Sequence, residues 1–353
     1  MHSSTSERPS TMKAARFYGD HDVRIETVPV PVPREGEVLL RVLRSGICGT
    51  DASEWKAGPR MFPVDKAHPV TGHQGPMTPG HEFVGEVVEA AGADFAIGDV
   101  VASGAGVSCG VCDRCREGRT NLCERYWTLG LSTDGGLAEY VAVPESTLVA
   151  VPADLDLDHA ALAQPLAVGL HAARRSGVRD GDRVVLIGAG AIGTFTLAGL
   201  ASLYDAHITV VDLPGPKLER ALRLGAQEAV VADRMDEIPR GADVVIEASG
   251  APGQLDRAVS LVRDGGTVLQ VGLPGGRQEV DIHQIVLREI EVTTTLAHVC
   301  GEDLAEALRL LQTTTLGAEL LDSVHSLDEL AGELDRLAQG KVDGKVVFDP
   351  TQS

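Results

Sequence analysis

The segment VVLIGAGAIG, residues 184–193, decides the architecture of this chain. Four apolar residues, typical of a buried strand, precede Gly188, Gly190 and Gly193, and a helical stretch begins within this glycine-rich turn. In a strand–turn–helix of this kind, the glycines permit a tight turn, close approach of the backbone to a pyrophosphate, and close helix packing. The N-terminus of the helix then attracts the anion. Alone, a G-x-G-x-x-G is equally typical of a structural turn, but this context favours a dinucleotide site.

The chain around this segment alternates between two periodicities. Apolar runs and helical stretches follow each other at 183–187, 191–203, 208–211, 217–224, 244–247 and 267–271. Such alternation predicts βαβ units and a doubly wound parallel sheet. We therefore expect a nucleotide-binding domain over residues 158–295.

The first 150 residues have a different character. Short β-branched runs at 38–42, 84–88, 99–102 and 139–143 are separated by Gly and Pro. This pattern indicates an antiparallel, partly barrel-like β domain. After residue 296, helical segments at 303–312 and 326–339 lead into a strand at 344–348. We expect a domain over 1–157 that 296–353 completes.

Composition excludes several classes of protein. The chain has 353 residues, a net charge of −20 and 43% hydrophobic residues. The negative charge opposes nucleic-acid binding, and the sequence has no apolar stretch long enough for a membrane span. Residues 1–12 are polar and lack the apolar core of a secretory signal, so we expect a frayed extension and a cytoplasmic protein.

The strand at 208–211 ends at Asp212, where a carboxylate would bind the ribose hydroxyls of an adenosine. A surface aspartate at a strand end is otherwise common. Because Leu213 beside it offers no positive charge for a 2′-phosphate, NAD is favoured over NADP. The cofactor-binding residues predicted at these strand ends are Gly188, Gly190, Ile192, Gly193, Asp212, Val271, Gly272 and Leu273.

Four of the six cysteines lie within fifteen residues, at Cys109, Cys112, Cys115 and Cys123. In a reducing compartment, such clustering indicates metal binding rather than a disulfide framework. Four thiolates can close a tetrahedral zinc shell and leave no position for a substrate. The spacing predicts a structural zinc, with an iron–sulfur cluster or unmetallated thiols as the alternatives.

A second set of metal-binding residue types is dispersed over SGICGTD at 45–51, TPGHEFVG at 78–85 and AQPLA at 163–167. With the four-cysteine loop and the glycine-rich strand, these motifs resemble the zinc-containing medium-chain dehydrogenase/reductase family over residues 12–350. The chain is most similar to its polyol branch of sorbitol, butanediol, threonine and glucose dehydrogenases. The resemblance implies a GroES-like catalytic domain, an inserted Rossmann domain, and a homodimer or homotetramer.

The resemblance also implies roles for individual residues. Cys48 and His81 match ligands of a catalytic zinc, and Glu82 matches a carboxylate that binds the metal directly or from close by. Gln164 stands where many relatives have Cys or Glu, and could bind zinc, its water or a substrate hydroxyl. Thr50 matches the hydroxyl that receives the alcohol proton. Ser53 replaces the relay histidine of many relatives, so the proton could leave through Ser53, bound water or the cofactor ribose.

Other residues carry two interpretations each. Lys217 matches a basic residue at the adenosine half of the cofactor, or is a solvated helix lysine. Trp55 matches an aromatic wall of the substrate pocket, or is a core residue. His68 and His73, in a loop longer than relatives have, are loop residues first and substrate contacts second. Asp51 orients a ligand rather than acting as a base.

The implied function is that of an NAD-dependent zinc alcohol dehydrogenase with two zinc ions per subunit. Its substrate would be a secondary alcohol of a polyol, sugar, cyclitol or aminocyclitol, and its product a ketone. The alternatives are an amino-alcohol or simple diol dehydrogenase, and a non-catalytic NAD-binding scaffold on the same fold. Retention of Cys48, Thr50, His81 and Glu82 argues against the scaffold.

Overall fold

The computed structural model describes residues 8–92 and 94–352. Over these residues the chain divides into two compact units. The first unit contains residues up to 109, 124–161 and those from 322 on, and the second contains 110–123 and 162–321. The domain boundaries expected from the sequence, at 157/158 and 295/296, stay a prediction. Of the expected N-terminal extension, residues 1–7 lie outside the described part.

The strands, in chain order, are β1 (Thr11–Gly19), β2 (Asp22–Pro29), β3 (Glu37–Gly46), β4 (Glu82–Ala91), β5 (Val100–Ser103), β6 (Gly106–Val107), β7 (Trp127–Thr128), β8 (Tyr140–Pro144), β9 (Leu148–Ala150), β10 (Arg183–Ile187), β11 (His207–Asp212), β12 (Glu228–Val231), β13 (Ala242–Glu247), β14 (Val262–Gln270), β15 (Glu291–Thr294), β16 (Leu321–Ser326) and β17 (Lys345–Asp349). The α-helices are α1 (Gly49–Ala57), α2 (Asp113–Arg116), α3 (Leu157–Ala160), α4 (Ala163–Arg175), α5 (Ala191–Leu203), α6 (Pro216–Arg223), α7 (Gln254–Leu261), α8 (Ile282–Leu287), α9 (Ala305–Thr313), α10 (Leu316–Leu320) and α11 (Leu330–Ala338).

The first unit is built on a seven-stranded sheet in the order β16-β17-β3-β4-β5-β9, with β8 also paired to β3. The partners of β3 all run antiparallel to it. Alternate residues of β3, Val38, Leu40 and Val42, point to one face and join a buried apolar cluster with Phe83 and Val101. The antiparallel β unit predicted from the short β-branched runs is confirmed, and its strands alternate apolar side chains toward this cluster.

The second unit is built on a six-stranded parallel sheet in the order β12-β11-β10-β13-β14-β15. In its register, Ile187 on β10 lies beside Val211 on β11, and Glu247 on β13 lies beside Gln270 on β14. The carboxyl ends of these strands consequently meet at one edge. The predicted doubly wound sheet is confirmed, and β10 and α5 have the predicted bounds.

Two helices begin differently in the structure from what the sequence predicts. The helix expected from residue 303 begins as a π-helical segment, Cys300–Leu304, before α9. The helix expected from residue 326 begins with a 3₁₀ turn, Leu327–Glu329, before α11. Over the described residues, the structure contains no helix with the length and apolar character that crossing a membrane requires.

Candidate active site

Cys48 lies at the start of α1, immediately after β3 ends. It is the N-cap residue of that helix, and its backbone N–H donates to Asp51 Oδ2 over 2.8 Å. A carboxylate in the first helical turn suits both the unpaired N–H groups and the helix dipole. Asp51 thereby fixes the backbone from which the Cys48 thiol projects.

His81 is placed by the turn that precedes β4. Gly80 has φ of +97°, and a Cβ there would lie 2.7 Å from Leu137 N. The turn is held by hydrogen bonds from Gly136 N to Gly80 O, 2.8 Å, and from Leu137 N to Pro79 O, 3.0 Å. Only glycine can adopt this backbone angle and tolerate this close approach, so Gly80 determines the backbone position of the neighbouring His81.

The structure brings three of the predicted residues together. One ligand atom each from Cys48, His81 and Glu82 lies within 4.8 Å of the others. The pairing of β3 with β4 explains this, because Gly46 is the register partner of Glu82. His81 and Glu82 are 5% and 1% exposed.

The donor set of this cluster matches what zinc binds. Glu82 Oε2 is buried and has no hydrogen-bond partner among the described residues. His81 Nδ1 faces Asp51 Oδ1 at 3.9 Å, so its other ring nitrogen, Nε2, 4.0 Å from Glu82 Oε1, is the one on the side of the cluster. Buried polar atoms without a partner are costly and call for a ligand or ion. Thiolate sulfur, imidazole nitrogen and carboxylate oxygen are the atoms that zinc takes in catalytic sites. The residues present therefore fit a zinc ion.

Lys345 on β17 is a functional candidate that sequence reasoning missed. Its Nζ lies 2.6 Å from Glu82 Oε1, and the two side chains are 4% and 1% exposed. Burial lowers the pKa of Lys345, but the Glu82 carboxylate and the Cys48 thiol together raise this pKa by more than burial lowers it. The pKa of Lys345 is therefore above its ordinary value. The cluster thus contains a resident cation. No motif signals it, because Lys345 is 263 positions from its partner.

Burial dominates the electrostatics of the remaining groups. It raises the pKa of the Cys48 thiol, while the charge of Lys345 opposes the increase. Burial also raises the pKa of Asp51 to about 7, with His81 acting in the opposite direction. Asp51 Oδ1 lies 3.9 Å from His81 Nδ1, so this one carboxyl adjoins both Cys48 and His81.

The predicted proton-handling residues follow Cys48 on α1. Thr50 Oγ1 is 4.0 Å from Cys48 Sγ. Ser53 is exposed, and its hydroxyl donates to Gly49 O over 2.8 Å. Gln164 lies in the second unit, in the first turn of α4, and is partly buried. The roles assigned to these three residues stay predictions.

Trp55 and His68 have side-chain hydrogen bonds within the structure, whereas the Nε2 of His73 is buried without a hydrogen-bond partner among the described residues. Trp55 is 6% exposed and its indole N–H donates to Asp335 Oδ1 over 2.8 Å. His68 Nδ1 accepts from the backbone N–H groups of Val70 and Thr71, which closes a turn. His68 N donates to His73 O over 2.9 Å. Trp55 therefore belongs to a buried apolar cluster, and its place in the wall of the substrate pocket stays a prediction. His68 stabilises its own loop, and a substrate contact for either histidine also stays a prediction.

The four-cysteine loop forms the second candidate metal centre. One sulfur from each of Cys109, Cys112, Cys115 and Cys123 lies within 4.8 Å of the others. Cys112 Sγ and Cys115 Sγ are 3.5 Å apart. Two thiolates on a tetrahedral zinc with bonds of about 2.3 Å would be about 3.8 Å apart, close to this distance. These residues also fit a zinc ion.

The three glycines of the predicted dinucleotide loop have the conformations that this role requires. Gly188 has φ of +103°, which allows the tight turn after β10. A Cβ on Gly193 would lie 1.8 Å from Gly188 O, so the third glycine lets α5 pack on the strand. A Cβ on Gly190 would have no described atom within 4 Å. The second glycine thus faces the open side from which a pyrophosphate would approach.

Asp212 lies at the end of β11, beside this loop. Its Oδ2 accepts from Ala189 N and its Oδ1 accepts from Leu213 N over 2.6 Å. Lys217 is partly buried in the first turn of α6. Val271, Gly272 and Leu273 follow β14 at the same edge, and Leu273 is 90% exposed. The loop, Asp212 and the 271–273 turn therefore share the carboxyl edge of the sheet, where open α/β sheets bind ligands.

A Cys–His–Glu cluster on an antiparallel β unit, together with a glycine-rich loop on a parallel sheet, is typical of a zinc- and dinucleotide-dependent oxidoreductase. Comparison with known families agrees. Residues 34–153 match the alcohol dehydrogenase GroES-like domain, and residues 191–313 match the zinc-binding dehydrogenase domain.

Similar proteins extend this likeness over nearly the whole chain. Sorbitol dehydrogenase of Bacillus subtilis (strain 168) is 32% identical and covers 94% of this chain and 95% of its own. L-threonine 3-dehydrogenase of Shewanella frigidimarina (strain NCIMB 400) is 30% identical, covering 96% and 99%. The crystal structure of 2R,3R-butanediol dehydrogenase from Bacillus subtilis is 31% identical, covers 96% and 100%, and superposes with a TM-score of 0.88.

The chain belongs to the zinc-containing medium-chain dehydrogenase/reductase family. It is an oxidoreductase of the zinc-dependent alcohol dehydrogenase type, linked to a nicotinamide dinucleotide. The fold and family expected from the sequence are confirmed. These relatives differ in the alcohols they are named for, so they leave the substrate of this chain open.

Proposed function

We propose that this protein oxidises a secondary alcohol of a polyol, sugar, cyclitol or aminocyclitol to a ketone, with NAD as the hydride acceptor. The observation that carries the proposal is the cluster of half-buried Cys48 with buried His81 and Glu82, whose thiol, imidazole and unpaired carboxylate oxygen suit a metal ion. A zinc ion held there would make an alcohol hydroxyl far more acidic, which is the activation that hydride loss requires.

The residues around the cluster would orient its ligands and remove the proton. Asp51 holds the Cys48 backbone and adjoins the His81 ring. Thr50 Oγ1, 4.0 Å from Cys48 Sγ, is close enough to the cluster to take a proton from an alcohol held there. Ser53 is one turn further along α1 and exposed; its hydroxyl donates to Gly49 O, so it would relay a proton by accepting one at Oγ while turning its own hydrogen from Gly49 O to solvent water. Thr50 and Ser53 form our proposed start of the exit route.

We assign the metal ligands in two groups. Cys48 and His81 would bind the catalytic zinc, Glu82, which is paired with Lys345, would bind it directly or from close by, and Gln164 keeps the role that the family likeness assigns to it. Cys109, Cys112, Cys115 and Cys123 bind a structural zinc. Metal analysis of the purified protein should then give about two zinc ions per subunit, and Cys112→Ser should lose one of them.

The preference for NAD follows from Asp212. A 2′-phosphate would meet the carboxylate at the end of β11, next to the exposed apolar Leu213. The negative charges of the phosphate and the Asp212 carboxylate would repel each other. We expect the kcat/KM for NAD to be at least about tenfold above that for NADP. Asp212→Ser should lower this ratio.

A second candidate function is oxidation of a simple diol or an amino alcohol. The likeness to a butanediol dehydrogenase over 96% of the chain favours it. Such substrates differ from polyols in the polar groups that the pocket must satisfy, so a substrate panel separates the two candidates.

The deciding experiment measures NADH formation at 340 nm with sorbitol, glucose, inositols, aminocyclitols, butanediol and threonine. Cys48→Ser should abolish turnover, whereas Cys300→Ser, a buried cysteine outside both clusters, should retain it. Turnover of a polyol or cyclitol supports the first candidate, and turnover of butanediol or threonine alone supports the second. Absence of turnover with every compound, although NADH and zinc are bound, would point to a specialised pathway substrate or to the scaffold.

We also propose a cytoplasmic homodimer or homotetramer. The clustered thiols suit a reducing compartment. β15 is an edge strand, and Ile282, Val286 and Leu287 on the neighbouring α8 are 62%, 66% and 68% exposed. Exposed apolar side chains beside an open strand are typical of an association surface. Light scattering should show an oligomer, and Val286→Glu with Leu287→Glu should reduce it to a monomer.

A further inference from the structure

Glu247, at the end of β13, is a buried carboxylate that the proposed mechanism does not use. It is 1% exposed. Its Oε1 accepts from Ser249 N over 2.7 Å and from Gly250 N over 3.0 Å, and also from the Ser249 hydroxyl. Its Oε2 accepts from the Gln270 amide on β14. One carboxylate therefore organises the turn after its own strand and ties it to the next strand.

The backbone of Glu247 holds the neighbouring turn as well. Its carbonyl oxygen accepts from Val271 N over 2.7 Å and from Gly272 N over 2.9 Å. A Cβ on Gly272 would lie 2.2 Å from Gly250 N and 2.7 Å from Glu247 Oε2. The 248–250 and 271–273 turns are thus packed against each other around Glu247, with no room for a side chain at Gly250 or Gly272.

The turn that Glu247 organises also supports the dinucleotide loop. A Cβ on Gly188 would lie 2.8 Å from Ser249 N and 3.0 Å from Ser249 Cβ. The first glycine of the loop therefore rests on Ser249, whose N–H and hydroxyl both donate to Glu247. Glu247 connects three segments that follow β10, β13 and β14 at the carboxyl edge.

The order of the strands indicates which half of the cofactor the 248–250 and 271–273 turns face. The loop after β10, where the pyrophosphate would bind, lies at the centre, and Asp212 ends β11 on one side of it. If Asp212 takes the adenosine ribose, the other nucleotide extends to the opposite side, over β13 and β14. This is the side on which Glu247 holds both turns.

We infer that Glu247 is a positioning residue for the nicotinamide half of the dinucleotide. It acts through Ser249, Gly250 and Gly272 rather than by touching the cofactor. The inference rests on the proposed dinucleotide site. It predicts that loss of the carboxylate weakens binding of the whole dinucleotide much more than binding of its adenosine half.

The test compares NADH with AMP on the purified protein, by calorimetric titration without any alcohol. Glu247→Gln keeps the size of the side chain but turns an amide N–H₂ toward groups that are themselves donors. We expect the Kd for NADH to rise at least about tenfold, as for loss of hydrogen bonds to a charged acceptor, and the Kd for AMP to change less than about twofold. Ser249→Ala, a milder change, should shift NADH binding in the same direction by about threefold.

Asp243 supplies a matched control. It lies on the same strand at the opposite end, where it accepts from Arg183 N and pairs with Arg263. Asp243→Asn also removes a carboxylate with backbone and side-chain partners, but far from the carboxyl edge. It should leave both affinities unchanged.

The outcomes separate this inference from the proposed function. If the unmodified protein fails to bind NADH, the proposed function itself is wrong. If that protein binds NADH but Glu247→Gln and Ser249→Ala bind it equally well, the inference is overturned. Equal weakening of NADH and AMP in Glu247→Gln would also overturn it, because that result indicates general disruption of the unit.

Discussion

Replacing Lys345 with methionine should leave the Glu82 carboxylate buried without its cation. The two groups are 2.6 Å apart and almost fully shielded from water. Methionine is close to lysine in length and fills the space without a charge. The backbone of β17 and its pairing with β3 have no reason to change.

The expected loss follows from the burial of the pair. Removing one partner of a buried ion pair typically costs about 3–5 kcal/mol, because the remaining charge stays desolvated and unpaired. For a unit of this size, about 1 kcal/mol shifts the melting temperature by about 2–4 °C, so the loss should be about 6–20 °C. The pair of Arg234 and Glu237 has the same 2.6 Å separation but is 65% and 62% exposed, so water screens it and its removal should change the melting temperature very little.

Thermal unfolding of Lys345→Met, with Arg234→Met as the control, measures this difference. Samples are run after zinc removal and again with added zinc. Because a dication at the cluster would supply positive charge beside Glu82, zinc should recover part of the loss in Lys345→Met. Equal melting temperatures for the two variants without zinc would refute the reasoning, since a buried and an exposed pair would then contribute alike.

Three further predictions concern other parts of the molecule. Gly193→Ala places a Cβ 1.8 Å from Gly188 O, so NADH affinity by fluorescence titration should fall by more than about tenfold; unchanged affinity would contradict the packing role of the third glycine. Burial lowers the pKa of His298 from 6.5 to about 4, so as the pH falls this histidine is protonated in the unfolded chain before it is protonated in the folded protein. Between pH 6.5 and pH 4, the free energy of unfolding should therefore decrease by about 3 kcal/mol more in the unmodified protein than in His298→Phe, as measured by urea titration. Trp55→Phe removes the bond to Asp335 and should lower stability by about 1 kcal/mol with the KM for the alcohol unchanged, whereas a raised KM would restore Trp55 to the substrate pocket.

The parts of the fold that could be predicted are those in which neighbouring residues determine each other. The strand 183–187, the turn at Gly188 and the helix from Ala191 are consecutive, and each constrains the next through close backbone contacts. The same holds for the GHE turn, where the positive φ of Gly80 sets the position of His81. Local spacing carries this information, so the sequence is sufficient for it.

The parts that could not be predicted depend on residues distant in sequence. A lysine at the start of a C-terminal strand is ordinarily a solvated residue, and only the pairing of β17 with β3 brings Lys345 to Glu82. Trp55 was open to two interpretations because its partner Asp335 is 280 positions away. In both cases a periodic pattern shows which face is apolar, but not which polar group from another element meets it there.

Buried carboxylates show the same limit and also what a structure adds. Glu82, Glu247 and Asp303 are each 1% exposed, although acidic residues at the ends of strands and helices ordinarily face solvent. A desolvated carboxylate is costly unless donors reach it, and here each has a partner from another segment: Lys345, Gln270 and His171, respectively. Such residues therefore mark the points at which the fold joins distant segments. Two of the three adjoin the proposed metal and cofactor sites, which is where precise joining of segments matters most for hydride transfer.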